Sequence, residues 1–125
     1  MPQYGVLVFS PAPADPMSLT PEYLELIDGY PALAKKLGGK VLGGSYFSGD
    51  RGFAFEPSTT AKAIRGEVVS DGPYIESELV AAAFFVLSAP DLDTAVRIAK
   101  LHPAARDGGA EVRPLFTSPT PESPR

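Results

Sequence analysis

Two carboxylates and a phenol fall together in Asp71-Gly72-Pro73-Tyr74-Ile75-Glu76. Carboxylates that share a cleft split their pKa values, so one serves as base while the other stays protonated as acid. A phenol between them can donate a hydrogen bond to a developing oxyanion. The chemistry this trio fits is proton transfer. The same residues have a plainer use: Asp before Gly accepts from the amides of its own turn, Glu76 sits solvated in a loop, and the Tyr74 ring fills core. The single histidine, His102, has the intrinsic pKa for proton exchange near neutrality. Standing at a helix end before Pro103, it equally suits a partner for the helix's C-terminal dipole. Candidate ligand contacts are the aromatic residues Tyr46, Phe47, Phe53 and Phe55 and the cations Lys62 and Arg113. Arg113 alternates with Val112 and faces either a pocket, where it would hold an anion, or solvent. Aromatic residues so spaced serve a core as readily as a ligand wall.

Other chemistries are absent from the sequence. With no cysteine, disulfides, thiolate catalysis and Cys-ligated zinc are excluded. There is no P-loop, dinucleotide fingerprint, G-x-S-x-G elbow or cluster of metal ligands, so no cofactor and no metal are expected. A net charge of −4 with scattered basic residues argues against nucleic acid as a partner. The apolar run Leu79 to Leu87 falls far short of a membrane span, and the amino terminus lacks the basic region of a signal peptide. A soluble, cytoplasmic protein is the expectation, and 125 residues fit one domain with one core.

The elements that would position these residues can be traced along the chain. Tyr4 to Phe9 is apolar on both faces and predicts a central strand. Ser10 to Pro16 breaks regular structure with its prolines. Thr20-Pro21-Glu22 then opens a helix with a hydroxyl cap, Pro at the first position and an acid in the first turn. Its predicted inner stripe is Leu24, Ile27, Leu33, Ala34 and Leu37, and Pro31 predicts a kink or a split near Gly29. Lys40 to Phe47 predicts a second strand, and Ser48 to Ser58 a loop near a pocket. Thr59 to Ile64 and Glu67 to Ser70, either side of Arg65-Gly66, predict a hairpin that ends at Asp71, because Asp-Gly-Pro is turn chemistry. Ala81 to Ser88 predicts another central strand. Asp91 caps a second helix with a stripe through Leu92, Ala95, Val96, Ala99 and His102, stopping near Leu101 because of Pro103. Glu111 to Phe116 predicts a last strand, placed on an edge or a bulge by Pro114. Thr117 to Arg125 is Ser, Thr and Pro with little apolar content and is expected to be disordered.

Strand-helix-strand, hairpin, strand-helix-strand is the order of an α+β, ferredoxin-like βαββαβ domain with both helices on one face of an antiparallel sheet. Two strands apolar on both sides would leave a large greasy face uncovered, which predicts a homodimer packed sheet to sheet as an α/β barrel. The series Asp71-Gly-Pro-Tyr74, Glu76, Ala83-Phe-Phe-Val-Leu87, Pro103-Ala-Ala-Arg106 and Glu111-Val-Arg-Pro114 resembles the YCII-related domain family, in its Asp-Gly-Pro-Phe branch. Tyr74 stands where that branch has Phe. The resemblance implies residues 1–116 as a dimeric ferredoxin-like barrel with a pocket between sheet and helices. Two function classes fit such a barrel: a cofactor-free acid/base enzyme (isomerase, cyclase or lyase) acting on a small apolar or aromatic metabolite, and a non-catalytic ligand-binding or accessory dimerisation protein.

Overall fold

The computed structural model describes residues 1–42 and 53–116. Its elements run β1 (Gln3–Pro11), α1 (Pro21–Lys36), β2 (Lys40–Leu42), β3 (Phe53–Ala54), β4 (Lys62–Arg65), β5 (Val68–Asp71), β6 (Leu79–Ser88), α2 (Leu92–Lys100), α3 (Pro103–Asp107) and β7 (Gly109–Pro114). The two segments apolar on both faces, β1 and β6, pair with each other from Gln3 opposite Ser88 to Pro11 opposite Leu79 and form the sheet's centre. β2 flanks β6 and β7 flanks β1, giving the antiparallel order β2-β6-β1-β7 of a ferredoxin-like sheet. β7 is an edge strand, as Pro114 predicts. β3 lies along the same edge of β6 as β2, with Leu42 opposite Val86 and Phe53 opposite Phe84. The predicted second strand is observed only to Leu42; its remainder, with Tyr46 and Phe47, lies outside the described residues, as does the tail 117–125.

One face of the sheet carries the core. Tyr4, Val6 and Val8 from β1 and Phe85 and Leu87 from β6 meet Tyr30 and Ala34 of α1, Ala95, Ile98 and Ala99 of α2 and Ala104 of α3. The opposite face presents Leu7, Phe84 and Phe53 in one cross-strand row, the last two stacked at 5.0 Å. A register shift between Val8 and Phe9 disturbs the β1–β6 ladder at Ala82.

Helix α1 starts as its sequence dictates: the Thr20 hydroxyl oxygen accepts from the Tyr23 N–H at 3.2 Å, with Pro21 at the first position. It then runs unbroken through Pro31, against the predicted kink or split. The physical reason lies in its inner stripe of Tyr23, Ile27, Tyr30 and Ala34, which holds both halves on the domain at helical spacing. That stripe also corrects the predicted one, since Leu24, Leu33 and Leu37 are exposed. Two tyrosines, whose rings bury while their hydroxyls find partners, took the place assigned to leucines. The Tyr30 hydroxyl donates to the Ile98 carbonyl at 2.7 Å and so ties α1 to the end of α2. Tyr30→Phe removes that bond from a buried site and is expected to lower stability by about 1 kcal/mol, read as a lower urea midpoint at unchanged slope.

Asp91 caps α2 by accepting from the Thr94 N–H at 2.8 Å, a bond that lowers its carboxyl pKa. The buried stripe is Thr94, Ala95, Ile98 and Ala99, while the predicted Leu92 and Val96 are exposed. Pro103 does end the helix, yet it also begins the next one, since it occupies the first position of α3. Sequence spacing showed only the stop.

Candidate functional site

The carboxylate-phenol stretch leaves the β4–β5 hairpin. Asp71 is the last residue of β5, directly opposite Lys62 across the ladder, and the two side chains form an ion pair. Its carboxylate is 86% exposed. Gly72 then takes φ +96°, the left-handed conformation that glycine adopts freely, and its N–H donates to the Ala61 carbonyl at 2.8 Å. The Arg65 guanidinium reaches across to fasten the hairpin exit, lying 4.4 Å over the Tyr74 ring and donating to the Tyr74 carbonyl. Glu76 is exposed. Tyr74 borders a shallow recess of about 590 Å³, where Phe9, Ala81 and Glu111 form the floor.

A second cavity, of about 660 Å³, opens on the helical side of the sheet. Its floor is Val8, Ala82 and Ala83 of the two central strands, and its roof is Tyr23 and Ile27 of α1. One end is walled by the segment from Ser10 to Leu19, in which the Ala12–Pro13 peptide is cis and Ala14 has φ +55°. The other end is α3, with His102, Ala104 and Asp107. The walls are mainly apolar, with a few polar groups set among them, the usual make-up of a small-molecule site.

His102 is the most constrained of those groups. It is 8% exposed, with its ring 4.9 Å from the Tyr30 ring at an edge-on angle and 5.8 Å from the Phe85 ring, stacked. It is not a C-terminal dipole partner for α2; instead it is the N-cap of α3, its Nδ1 accepting from the Ala104 N–H at 3.2 Å. Accepting at Nδ1 places the neutral ring's proton on Nε2. Burial pushes the imidazole pKa down to about 4, because the charged form would lose its hydration. At neutral pH His102 is therefore an uncharged ring with one N–H to offer. Across the cavity, burial and then the Asp107 carboxylate raise the Tyr23 hydroxyl pKa, with Arg106 opposing them.

The structure thus separates the proposed acid/base residues. Asp71, Tyr74 and Glu76 stay on the hairpin and its exit, and His102 alone of that set lines the inner cavity. Lys62 is engaged with Asp71. Phe53 is stacked on Phe84 on the open sheet face. Arg113 is exposed on β7, with its Nε 3.6 Å from the Glu111 carboxylate. Tyr46 lies outside the described residues. The polar cavity residues that motif reading did not put forward are Ser10, Asp15, Ser18, Tyr23 and Asp107. Tyr23 had a signal available, the i, i+4, i+7, i+11 series of Tyr23, Ile27, Tyr30 and Ala34.

Among the described residues no group of three or more His, Asp or Glu side chains is placed to hold a metal ion, and no helix is long and apolar enough to cross a membrane. A family model for the YCII-related domain matches residues 19–118, which take in α1 and every later element. No curated protein matches the chain.

Proposed function

The chain belongs to the YCII-related domain family, and from that premise we propose that it works on a small apolar or aromatic metabolite held in the inner cavity, by proton transfer without a cofactor, as an isomerase, cyclase or lyase. The observation that carries this reading is the cavity itself: about 660 Å³ of mainly apolar space into which His102, Tyr23 and Asp107 converge from two helices. Tyr23 is the candidate acid, since its phenol stays protonated at neutral pH, and Asp107 beside it is the candidate base. A second reading places the site at the shallow recess beside Tyr74, with Asp71 and Glu76, which flank its wall in sequence without lining it, as the groups that handle the proton. Simple binding without turnover is the remaining alternative.

We further propose a cytoplasmic homodimer packed through the open sheet face. Phe53, Phe84 and Leu7 form an apolar row there, and the hairpin carries Ile64, Val68 and Val69 more than 60% exposed. Light scattering on the eluted protein should return twice the chain mass at micromolar concentration; a single-chain mass would remove the dimer.

Metabolites extracted from natively purified protein test the site. Ala83→Trp, which fills the inner cavity, is expected to strip a retained small molecule. Asp71→Ala and Glu76→Ala are expected to keep it, and the Asp71 change should cost less than about 1 kcal/mol, because its ion pair is exposed. Loss of the molecule in the two hairpin variants with retention in Ala83→Trp would move the site to the recess.

A further inference from the structure

The geometry points to a specific ligand class for the inner cavity: an uncharged, largely apolar molecule carrying a carbonyl-type oxygen, which accepts a hydrogen bond from His102 Nε2–H. This deepens the cavity reading above and rests on it. Among the described residues every buried side-chain nitrogen or oxygen has a partner. The His102 ring nitrogen with a partner is Nδ1, bonded to the Ala104 N–H. Nε2 therefore keeps its access to the cavity that the ring lines, although the residue as a whole is more than nine-tenths buried. A donor held in a mainly apolar cavity selects for an acceptor, since a ligand that lacks one leaves the N–H unpaired.

The charge of that acceptor is set by the other walls. The described lining holds two carboxylates, Asp15 and Asp107, and no lysine or arginine. The Asp15 carboxylate accepts from the Met17 N–H at 2.9 Å, which holds it at the cavity's end. A bound carboxylate ligand would face like charge with no lysine or arginine in the described lining, whereas a ketone, aldehyde, lactone or amide oxygen brings no charge and can accept from the imidazole N–H. The ring is neutral at physiological pH, with burial holding its pKa low, so it offers a dipole and not a charge. Position is fixed as well: the α3 cap bond and the Tyr30 and Phe85 rings leave the imidazole little freedom to turn.

The test uses the full chain labelled with ring-¹⁵N histidine, which gives one imidazole because the sequence has one histidine. The probes are acetophenone, its carbonyl-free analogue ethylbenzene, and benzoate. Acetophenone is expected to bind roughly tenfold more tightly than ethylbenzene, the worth of one buried hydrogen bond. It should also move the Nε2 resonance while Nδ1 stays in place, and benzoate should bind more weakly than either. His102→Asn, whose shorter amide can still cap the Ala104 N–H, should bring the ketone-to-hydrocarbon ratio to about one. Equal binding of ethylbenzene and acetophenone to the native protein, or an unmoved Nε2 resonance, overturns the His102 assignment and leaves the cavity reading standing. Preference for benzoate overturns the charge argument. Failure of all three probes to shift any cavity residue overturns the inference together with the cavity reading. The wild-type resonances decide the matter even if the variant fails to fold.

Discussion

Gly108→Ala is expected to destabilise the domain by roughly 3 kcal/mol or more, at or beyond the upper end of the usual cost of overpacking. Gly108 closes α3, its N–H donating to the Ala104 carbonyl at 2.9 Å, and its Cα lies against the backbone of β1. A methyl group there would be driven into the Phe9 carbonyl oxygen and would sit 2.8 Å from the Phe9 carbonyl carbon and 3.0 Å from Ser10 Cα. These are main-chain atoms of a central strand, so no rotamer change relieves the clash. The strand and α3 must part instead. Both are walls of the inner cavity, Ser10 on one side and His102 with Ala104 on the other, so the variant should lose ligand binding with its stability. Gly109→Ala is the matched control, because a methyl at Gly109 meets nothing within 4 Å and should cost about 0.5 kcal/mol or less. Equal urea midpoints for the two variants would refute the close approach of α3 to β1.

The second large effect is acid sensitivity written by His102. Its folded pKa, about 4, lies below the ordinary 6.5 because of burial. Between those values the unfolded chain binds the extra proton and the folded one does not, so protonation favours unfolding. Stability from this group is complete above pH 6.5 and is lost as pH falls toward 4, by about 3 kcal/mol over the window. Asp91, the carboxyl held low by its cap bond, adds a loss that begins only below its ordinary 3.8. His102→Asn should be less stable than the native protein at pH 7.5, having lost the ring's contacts with Tyr30 and Phe85, but its stability should change little from pH 7.5 to 4.5. Urea denaturation of both proteins at the two pH values reads the difference directly. A native stability that stays level over that range would show that the ring is hydrated in the folded state.

How much of the fold is legible in the sequence varies by element. Where one physical signal is undivided, sequence and structure agree: the doubly apolar β1 and β6 are central, Pro114 lies on an edge, the hairpin closes at Asp71, and Gly72 takes positive φ. Where two signals compete, composition misleads. Leucines mark the wrong face of α1 because tyrosines, counted as polar-tipped, carry its buried stripe. Pro31 looks like a break because propensity is local, whereas packing on the sheet is not. His102-Pro103 looks like an ending because a helix stop and a new helix's cap use the same residues.

The candidate site is the least legible part. Motif reading favours residues clustered in sequence, and the Asp71 to Glu76 stretch is such a cluster; the cavity draws Ser10, Tyr23, His102 and Asp107 from separate places along the chain. The β1–β6 pairing, the helical caps, the Tyr30–Ile98 bond and the approach of α3 to β1 bring them together, and no spacing rule encodes that. The Asp-Gly-Pro-Tyr stretch reads in the structure as a hairpin exit, fastened by Lys62 and Arg65.

The most direct test of the cavity as the functional site is an amide NMR titration of the uniformly ¹⁵N-labelled full chain with acetophenone. The predicted perturbations gather on Ser10, Tyr23, Ala83, His102 and Ala104, with Tyr74 to Ser77 unmoved. Perturbations confined to Tyr74, Ile75 and Ser77 beside the shallow recess, with the cavity residues silent, would contradict it.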